Sequence, residues 1–303
     1  MKDHALFGVG GNSESFYAEG KKSTVDAPAW LAGRKLDAYE YQAGNGLTAG
    51  ETSLRAVGGQ AKAYGIAMSF HTPYFISLSS TELDKRLKSL DYIQKSVWAA
   101  DCLGADTIVV HTGSCAKITR REAMTLASDT LYKLFEGGFD TSVHIGLETM
   151  GKLNQLGTLA EVIELCKLDK HLYPVVDFGH LNCRGRAESG IFALENDAST
   201  ATGGVFVTAD DYRAVFDQIA NELGDDYAKN LHCHFSQIMY TEKGEKKHMR
   251  FCDEGFEPPF EPLMEAIVRE GLTPRIISES AGTMAEDAAA MKECYLSIKG
   301  DIK

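Results

Sequence analysis

Histidine and carboxylate recur at one position along this chain, the last residue of a short apolar run. His71 ends "IAMSFH", His111 ends "DTIVVH", Glu148 ends "VHIGLE" and Asp177 ends "YPVVD". His232 and His234 lie in "NLHCHFS", Glu279 closes "RIISE", and His180 follows Asp177 in "VVDFGH". Imidazole nitrogen and carboxylate oxygen without thiolate make a donor set suited to Zn2+, Mn2+ or Fe2+. A lone histidine at a strand end is ordinarily hydrogen-bonded structure, and a lone glutamate an ion-pair partner. Six consecutive runs that end this way call for a shared cause. Such groups, if brought together without compensating Lys or Arg, would repel or stay unsatisfied unless divalent cations lay among them. His232 and His234 are two apart and share a face, so periodicity does not choose between them. His234, nearer the C-terminal end, is the preferred ligand, with His232 one layer deeper. His4, His144 and His171 fall elsewhere and receive no role.

The elements that must position these residues read as alternating strands and helices. Apolar or β-branched runs occupy 6–10, 37–42, 66–71, 106–111, 143–148, 173–177, 230–236 and 275–279. Helical periodicity fills about 51–64, 82–103, 119–136, 158–168, 209–223, 258–270 and 284–298. Ser and Thr precede the acidic first turn of the second helix, Gly104 follows its last periodic residue, and Thr158 stands three residues before Glu161. Eight strands alternating with helices over 303 residues predict an α/β chain folded as a single (β/α)8 TIM barrel. Every strand C-terminus of a barrel faces one rim, so the residues above would converge there. "RGRAESGIFALENDASTATGGVFVT" (184–208) is rich in Gly, Ser and Thr and reads as an extended loop between strands six and seven.

Composition narrows the function. Seven cysteines, odd in number and without a CxxC pair, fit free thiols in a reducing cytoplasm rather than a disulfide framework. No run of eighteen apolar residues occurs and "MKDHALFGVGG" lacks a signal-peptide core, so a cytoplasmic, membrane-free monomer with no obligate protein partner is expected. A net charge of −12 argues against holding nucleic acid by bulk electrostatics, leaving only local basic patches for that purpose.

At the level of motifs the chain resembles the endonuclease IV family of apurinic/apyrimidinic endonucleases, within the xylose-isomerase-like barrel superfamily. "FHTPYFISL" is similar to that family's His-Ala-Pro-Tyr segment, "VVHTGS" to its His-Pro-Gly-Ser and "GLETMGKLNQLGT" to its Leu-Glu-Asn segment. "VVDFGHLNCRG" resembles its Asp-Thr-Cys-His segment and "IISES" its closing Leu-Glu-Thr. The resemblance implies a hydrolase with up to three Zn2+ ions that cleaves damaged DNA 5′ to an abasic site in base excision repair. By that resemblance His71, His111 and Glu148 would hold one ion, and Glu148 would bridge to a second shared with Asp177, His234 and Glu279. His180 and His248 would belong to the third, Tyr74 would contact DNA, and Glu148 would be the residue on which catalysis depends. Bridged ions can lower the pKa of a shared water and stabilise an in-line displacement, and their charge inverts the acidic field at the rim.

The chain departs from the family at three places. Lys246 stands where the family has an aspartate two residues before its third-site histidine, so that "EKGEKKH" is either a solvated basic turn or a segment from which Glu245 reaches the ion. "YEYQAGNGL" lacks the family's DNA-inserting basic residue, and Thr149 replaces an asparagine. Lys117, Arg120, Arg121, Arg184, Arg186, Lys243, Lys246, Lys247 and Arg250 could contact phosphates, although most of them read equally as the ordinary surface charges of an acidic protein. The competing reading is a sugar isomerase or epimerase of the same superfamily, which needs one divalent ion on Glu148, Asp177, His234 and Glu279 and leaves three histidines surplus. A third is a metal- or nucleic-acid-binding module without turnover.

Overall fold

Short apolar runs with no room for a helix form strands buried on both faces, and the longer amphipathic stretches between them form helices that cover the outside. The computed structural model describes residues 4–188 and 205–301. Its strands are β1 (Leu6–Gly10), β2 (Ala38–Gln42), β3 (Ala67–His71), β4 (Thr107–His111), β5 (His144–Glu148), β6 (Leu172–Asp177), β7 (His232–Phe235), β8 (Gln237–Thr241), β9 (Gly244–Met249) and β10 (Arg275–Ser278). Eight of these close into a parallel barrel in the order β1, β10, β7, β6, β5, β4, β3, β2, and β8–β9 form a separate antiparallel pair. The expected (β/α)8 barrel is therefore present.

The helices are α1 (Glu14–Ala18), α2 (Ala27–Gly33), α3 (Glu51–Tyr64), α4 (Leu83–Leu103), α5 (Arg120–Glu136), α6 (Leu159–Cys166), α7 (Phe178–Glu188), α8 (Ala209–Leu223), α9 (Asp225–Lys229), α10 (Glu261–Arg269) and α11 (Met284–Asp301). Thr158 and Glu161 form the capping box at the start of α6. Gly104 ends α4 in the left-handed region at φ 67°, where a side chain would be strained. The core is built from strand residues such as Phe7, Phe70, Ile108, Val110, Leu147 and Ile276 packed against helix residues such as Leu54, Ile93, Leu131 and Ile267.

Two expectations need correction. The Gly/Ser/Thr-rich stretch 184–208 begins as helix, because α7 continues to Glu188; residues 189–204 of that stretch lie outside the described residues. Of the segment "EKGEKKH", Glu242 and Lys243 form an exposed turn, and the rest is not turn but most of β9, paired with β8 in a hairpin. At the opposite, N-terminal face Arg275 forks onto Asp106, with contacts of 2.5 and 2.8 Å. Among the described residues no helix is long and apolar enough to cross a membrane, and all seven cysteines are free.

Candidate metal centre

Strand register brings the first neighbours together. His111 is the register partner of Glu148 across β4 and β5, and Asp177 that of His234 across β6 and β7. His71 ends β3, and Glu279 is the first residue beyond β10. Helix α7 starts directly after Asp177, whose Oδ1 accepts the backbone N–H of His180 at 2.7 Å. Asp177 thus ends a strand and caps a helix with one oxygen, leaving Oδ2 directed elsewhere.

The convergence expected from the sequence is observed. Three sets of side chains each present ligand atoms lying within 4.8 Å of one another: His71, His111 and Glu148; Glu148, Asp177, His234 and Glu279; and His180, Glu245 and His248. Glu148 belongs to two of them. Its Oε2 lies 3.0 Å from His111 Nε2 and 3.6 Å from His71 Nε2, and its Oε1 lies 2.9 Å from His234 Nδ1. A fourth set, Glu40, His232 and His234, sits deeper in the barrel.

Each of four histidines is held at one ring nitrogen and turns the other toward carboxylates. Nδ1 of His71 lies 2.9 Å from the Thr72 carbonyl, Nδ1 of His180 lies 2.9 Å from the Thr149 carbonyl, and Nδ1 of His248 lies 2.8 Å from Ser236 Oγ. A carbonyl can only accept, so it fixes the proton on Nδ1 and leaves the Nε2 lone pair free for an ion. His234 is turned the other way, with Nε2 toward Glu40 and Nδ1 toward Glu148 and Glu279. Thr149, the departure from asparagine, also accepts the Asp177 backbone N–H on its hydroxyl at 2.9 Å, tying β5 to β6 behind the site.

The electrostatics are those of a charge-dense buried cluster. Burial alone would raise the Glu148 carboxyl, but His234, His111 and His71 around it hold it well below the ordinary carboxylate range. Asp177 moves the opposite way: burial pushes it up, aided by Glu279 and Glu148, against the pull of His180 and His248. Burial would lower His71, yet Glu148 and the other acids raise it to about 9, and Asp177, Glu245 and Glu148 do the same for His180. The raised imidazoles follow from the acids crowded around them, so the cluster favours positive charge at its centre.

Glu245 reaches its set through a bulge. Met239 pairs with Lys247 and Tyr240 with Glu245, so Lys246 has no partner across the hairpin. The extra residue turns Glu245 and His248, three apart, toward the same centre, which a regular strand would not do. Glycines make the approach possible. A Cβ on Gly151 would lie 2.6 Å from Glu245 Cβ and 3.0 Å from the His180 ring, and Gly244, at φ 90°, would meet the Gly151 carbonyl at 2.1 Å. Lys246 itself is exposed.

The donor set fits divalent ions on two grounds. Oδ2 of Asp177 and Nε2 of His180 are buried without hydrogen-bond partners among the described residues. Buried polar atoms in that state are costly unless something coordinates them. Seven of the ligand candidates, His71, His111, Glu148, His180, Glu245, His248 and Glu279, also line a cavity of about 500 Å³ together with Tyr74, Lys152 and Gln155. Tyr74 is 56% exposed, rests its ring on Gly44, and lies 5.3 Å from the His71 ring, so it stands at the mouth.

Four of the nine basic candidates are drawn inward or into ion pairs. Arg184 and Arg186 are buried; Arg184 donates to the Met150 and Lys152 carbonyls, and Arg186 pairs with Glu257 at 2.5 Å. Arg120 is forked onto Glu161, and Arg250 onto Asp253. Lys117, Arg121, Lys243, Lys246 and Lys247 remain exposed. His232 lies one layer below His234, as expected, with Nε2 3.0 Å from Glu40. Glu40 was not singled out from the sequence. Its only trace there is an acid between two tyrosines inside a strand, "AYEYQ", whose first three residues are buried.

Comparison with known proteins agrees with this architecture. A D-tagatose 3-epimerase-like protein superposes with a TM-score of 0.68 at 19% identity, covering 98% of this chain and 99% of that one. Endonuclease IV from Thermus thermophilus gives 0.65 at 16% identity over 98% and 99%. In sequence, an uncharacterized protein of Methanocaldococcus jannaschii is 24% identical over 77% of this chain and 79% of its own length. A probable endonuclease 4 of Staphylococcus carnosus is 26% identical over 58% of this chain and 54% of its own, and that of Acholeplasma laidlawii is 32% identical over 31% and 32%. The chain thus spans only about half and a third of those two endonuclease relatives. The family described as xylose isomerase-like TIM barrel matches residues 29–294, and the chain belongs to it.

Proposed function

We propose that this protein is a metal-dependent phosphodiesterase that cleaves DNA 5′ to abasic sites. The observation carrying this reading is the third set, His180, Glu245 and His248, beside two sets that share Glu148. A one-ion isomerase has no use for it. Zinc, favoured by the histidine-rich donors, would supply an activated water at neutral pH and charge stabilisation for an in-line displacement. Glu148 has an oxygen facing each of two sets, so it can hold neighbouring ions in fixed relation. Tyr74 at the mouth offers a ring against the extruded nucleotide, and the exposed lysines of the hairpin, Lys243, Lys246 and Lys247, lie on the flank where a phosphate backbone would pass. The mature location in this reading is the cytoplasm, with the chain acting as a monomer.

A second reading, a sugar epimerase using one ion on Glu148, Asp177, His234 and Glu279, draws support from a different observation. Four of the five candidate arginines are turned inward or ion-paired, and a cavity of about 500 Å³ suits a monosaccharide. Metal content separates the two: about three ions per chain by elemental analysis supports the nuclease, and one supports the epimerase. Zinc-loaded protein should then nick a duplex carrying one tetrahydrofuran abasic analogue. No incision above the level of the Glu148→Gln protein would remove the nuclease reading.

A further inference from the structure

Glu40 is fully buried and far from the mouth, yet its carboxylate is held by an unusual number of groups. Ser69 Oγ, its neighbour on β3, donates to Oε2 at 2.9 Å, and His232 Nε2 lies 3.0 Å from the same oxygen. His234 Nε2 lies 3.1 Å from Oε1, and Gln42 Nε2 donates to Oε1 at 3.3 Å. These contacts leave the carboxylate one orientation. Its position behind His234 is equally fixed, since Glu40 sits on β2 on the side of the ring opposite Glu148 and Glu279.

We infer that Glu40 is the positioning residue for His234, fixing the proton on Nε2 so that the Nδ1 lone pair faces the set formed with Glu148, Asp177 and Glu279. This rests on the metal reading of that set. A neutral imidazole has one N–H and one lone pair, and an acceptor-only partner at one nitrogen decides which is which. The outer nitrogens of His71, His180 and His248 meet neutral partners, namely two backbone carbonyls and a serine hydroxyl. His234 alone of these four has a carboxylate behind it. A carboxylate makes the imidazole a stronger donor to an ion than a carbonyl does, and its loss typically lowers metal affinity about 10–100-fold. Ser69, His232 and Gln42 serve Glu40 in turn, holding the carboxylate so that it cannot swing toward the ion itself. Two histidines in "NLHCHFS" then have separate tasks, His234 facing the ion and His232 holding the group that orients it.

Zinc-loaded protein labelled with 15N-histidine, read by long-range 1H–15N correlation, tests this without any variant at Glu40. The expected pattern for His234, assigned through its loss in His234→Ala, is a protonated Nε2 and an unprotonated Nδ1. The reverse pattern would overturn the inference, because the ring would then present Nε2 to an ion held by Glu40 and His232. Zinc affinity by competition with a chelator gives the second arm. Glu40→Gln should weaken binding of one ion about 10–100-fold and Glu40→Asp should recover part of it, with the remaining ions unaffected. Zinc binding by Glu40→Gln within about twofold of wild type, beside a wild type that loads normally, would overturn the role of Glu40 alone. A wild type that takes up no zinc would overturn the metal reading first, and this inference with it.

Discussion

Glu245 Oε2 lies 3.6 Å from His180 Nε2, joining a hairpin that sits above the barrel to the helix that follows β6. The residue that the family pattern would lead one to look at, Lys246, is instead the unpaired residue of the bulge and is exposed. Glu245, one position earlier, is the residue whose carboxylate the bulge turns toward His180. Glu245→Ala should therefore lower metal content by one ion per chain, whereas Lys246→Ala should leave it unchanged. Elemental analysis of the two dialysed proteins decides it. Equal loss in both, or none in either, would mean that Glu245 does not hold an ion.

Glu148 is the residue through which two of the sets communicate, since its two oxygens face different partners. Glu148→Gln keeps the volume but removes the charge and one acceptor oxygen. Losing a bridging ligand should remove several kcal/mol of transition-state stabilisation, so incision should fall to below about a tenth of the wild-type rate. The fold should survive, because the barrel register does not depend on this side chain. Single-turnover incision rates and far-UV circular dichroism, measured side by side, check both halves. A rate above that tenth would contradict the bridging role.

Much of the barrel was legible because strand and helix periods differ so sharply here. The runs ending in His71, His111, Glu148 and Asp177 end as strands at those residues, and the expected helices at 51–64 and 209–223 match α3 and α8 at both ends. The site was legible for the same reason: in a parallel barrel, "last residue of a strand" is a statement about location in space. What escaped was set by features with no period. The strand β9 shows no alternation, with Glu245, Lys246, Lys247 and His248 polar in a row, and its bulge depends on backbone geometry, so Glu245 is only an alternative in sequence. Glu40 escaped because a buried acid in mid-strand has no signature apart from its partners, which come from β3 and β7. The direction of the arginines is equally illegible in sequence. A sequence position near a strand end says nothing about whether a long side chain turns outward or, like Arg186, inward onto Glu257.

Metal uptake should depend on pH in a direction fixed by the surrounding acids. In the metal-free protein burial favours neutral imidazole, but Glu148 raises His71, and Asp177 and Glu245 raise His180, each to about 9. Below that value an incoming ion must displace protons from both rings, so apparent affinity should climb as pH rises from 7 to about 9 and level off above it. Ordinary histidines, titrating near 6.5, would give a plateau already by about pH 7.5. Chelator-competition titrations with zinc at several pH values distinguish these cases. A flat affinity between pH 7 and 9 would show that the rings are not protonated there and that the acids do not govern ion entry.

At the closed end of the barrel the same reasoning concerns stability alone. Partial burial would raise the Asp106 carboxyl, but the Arg275 guanidinium, forked onto both oxygens, brings it down to about 2. A carboxyl whose folded-state value is depressed binds protons more weakly folded than unfolded, so acid favours the unfolded chain. The pair's contribution is thus complete above about pH 4, the ordinary aspartate range, and fades as pH falls toward about 2. Asp106 is largely exposed on its side chain, which keeps the contribution on the order of 1 kcal/mol despite the two-pronged contact. Asp106→Asn should accordingly unfold at lower urea than wild type at pH 6, with no change in metal content, and the gap should narrow steadily on going to pH 3. A gap that is constant, or that widens in acid, would assign the loss to packing around Arg275 and not to the ion pair.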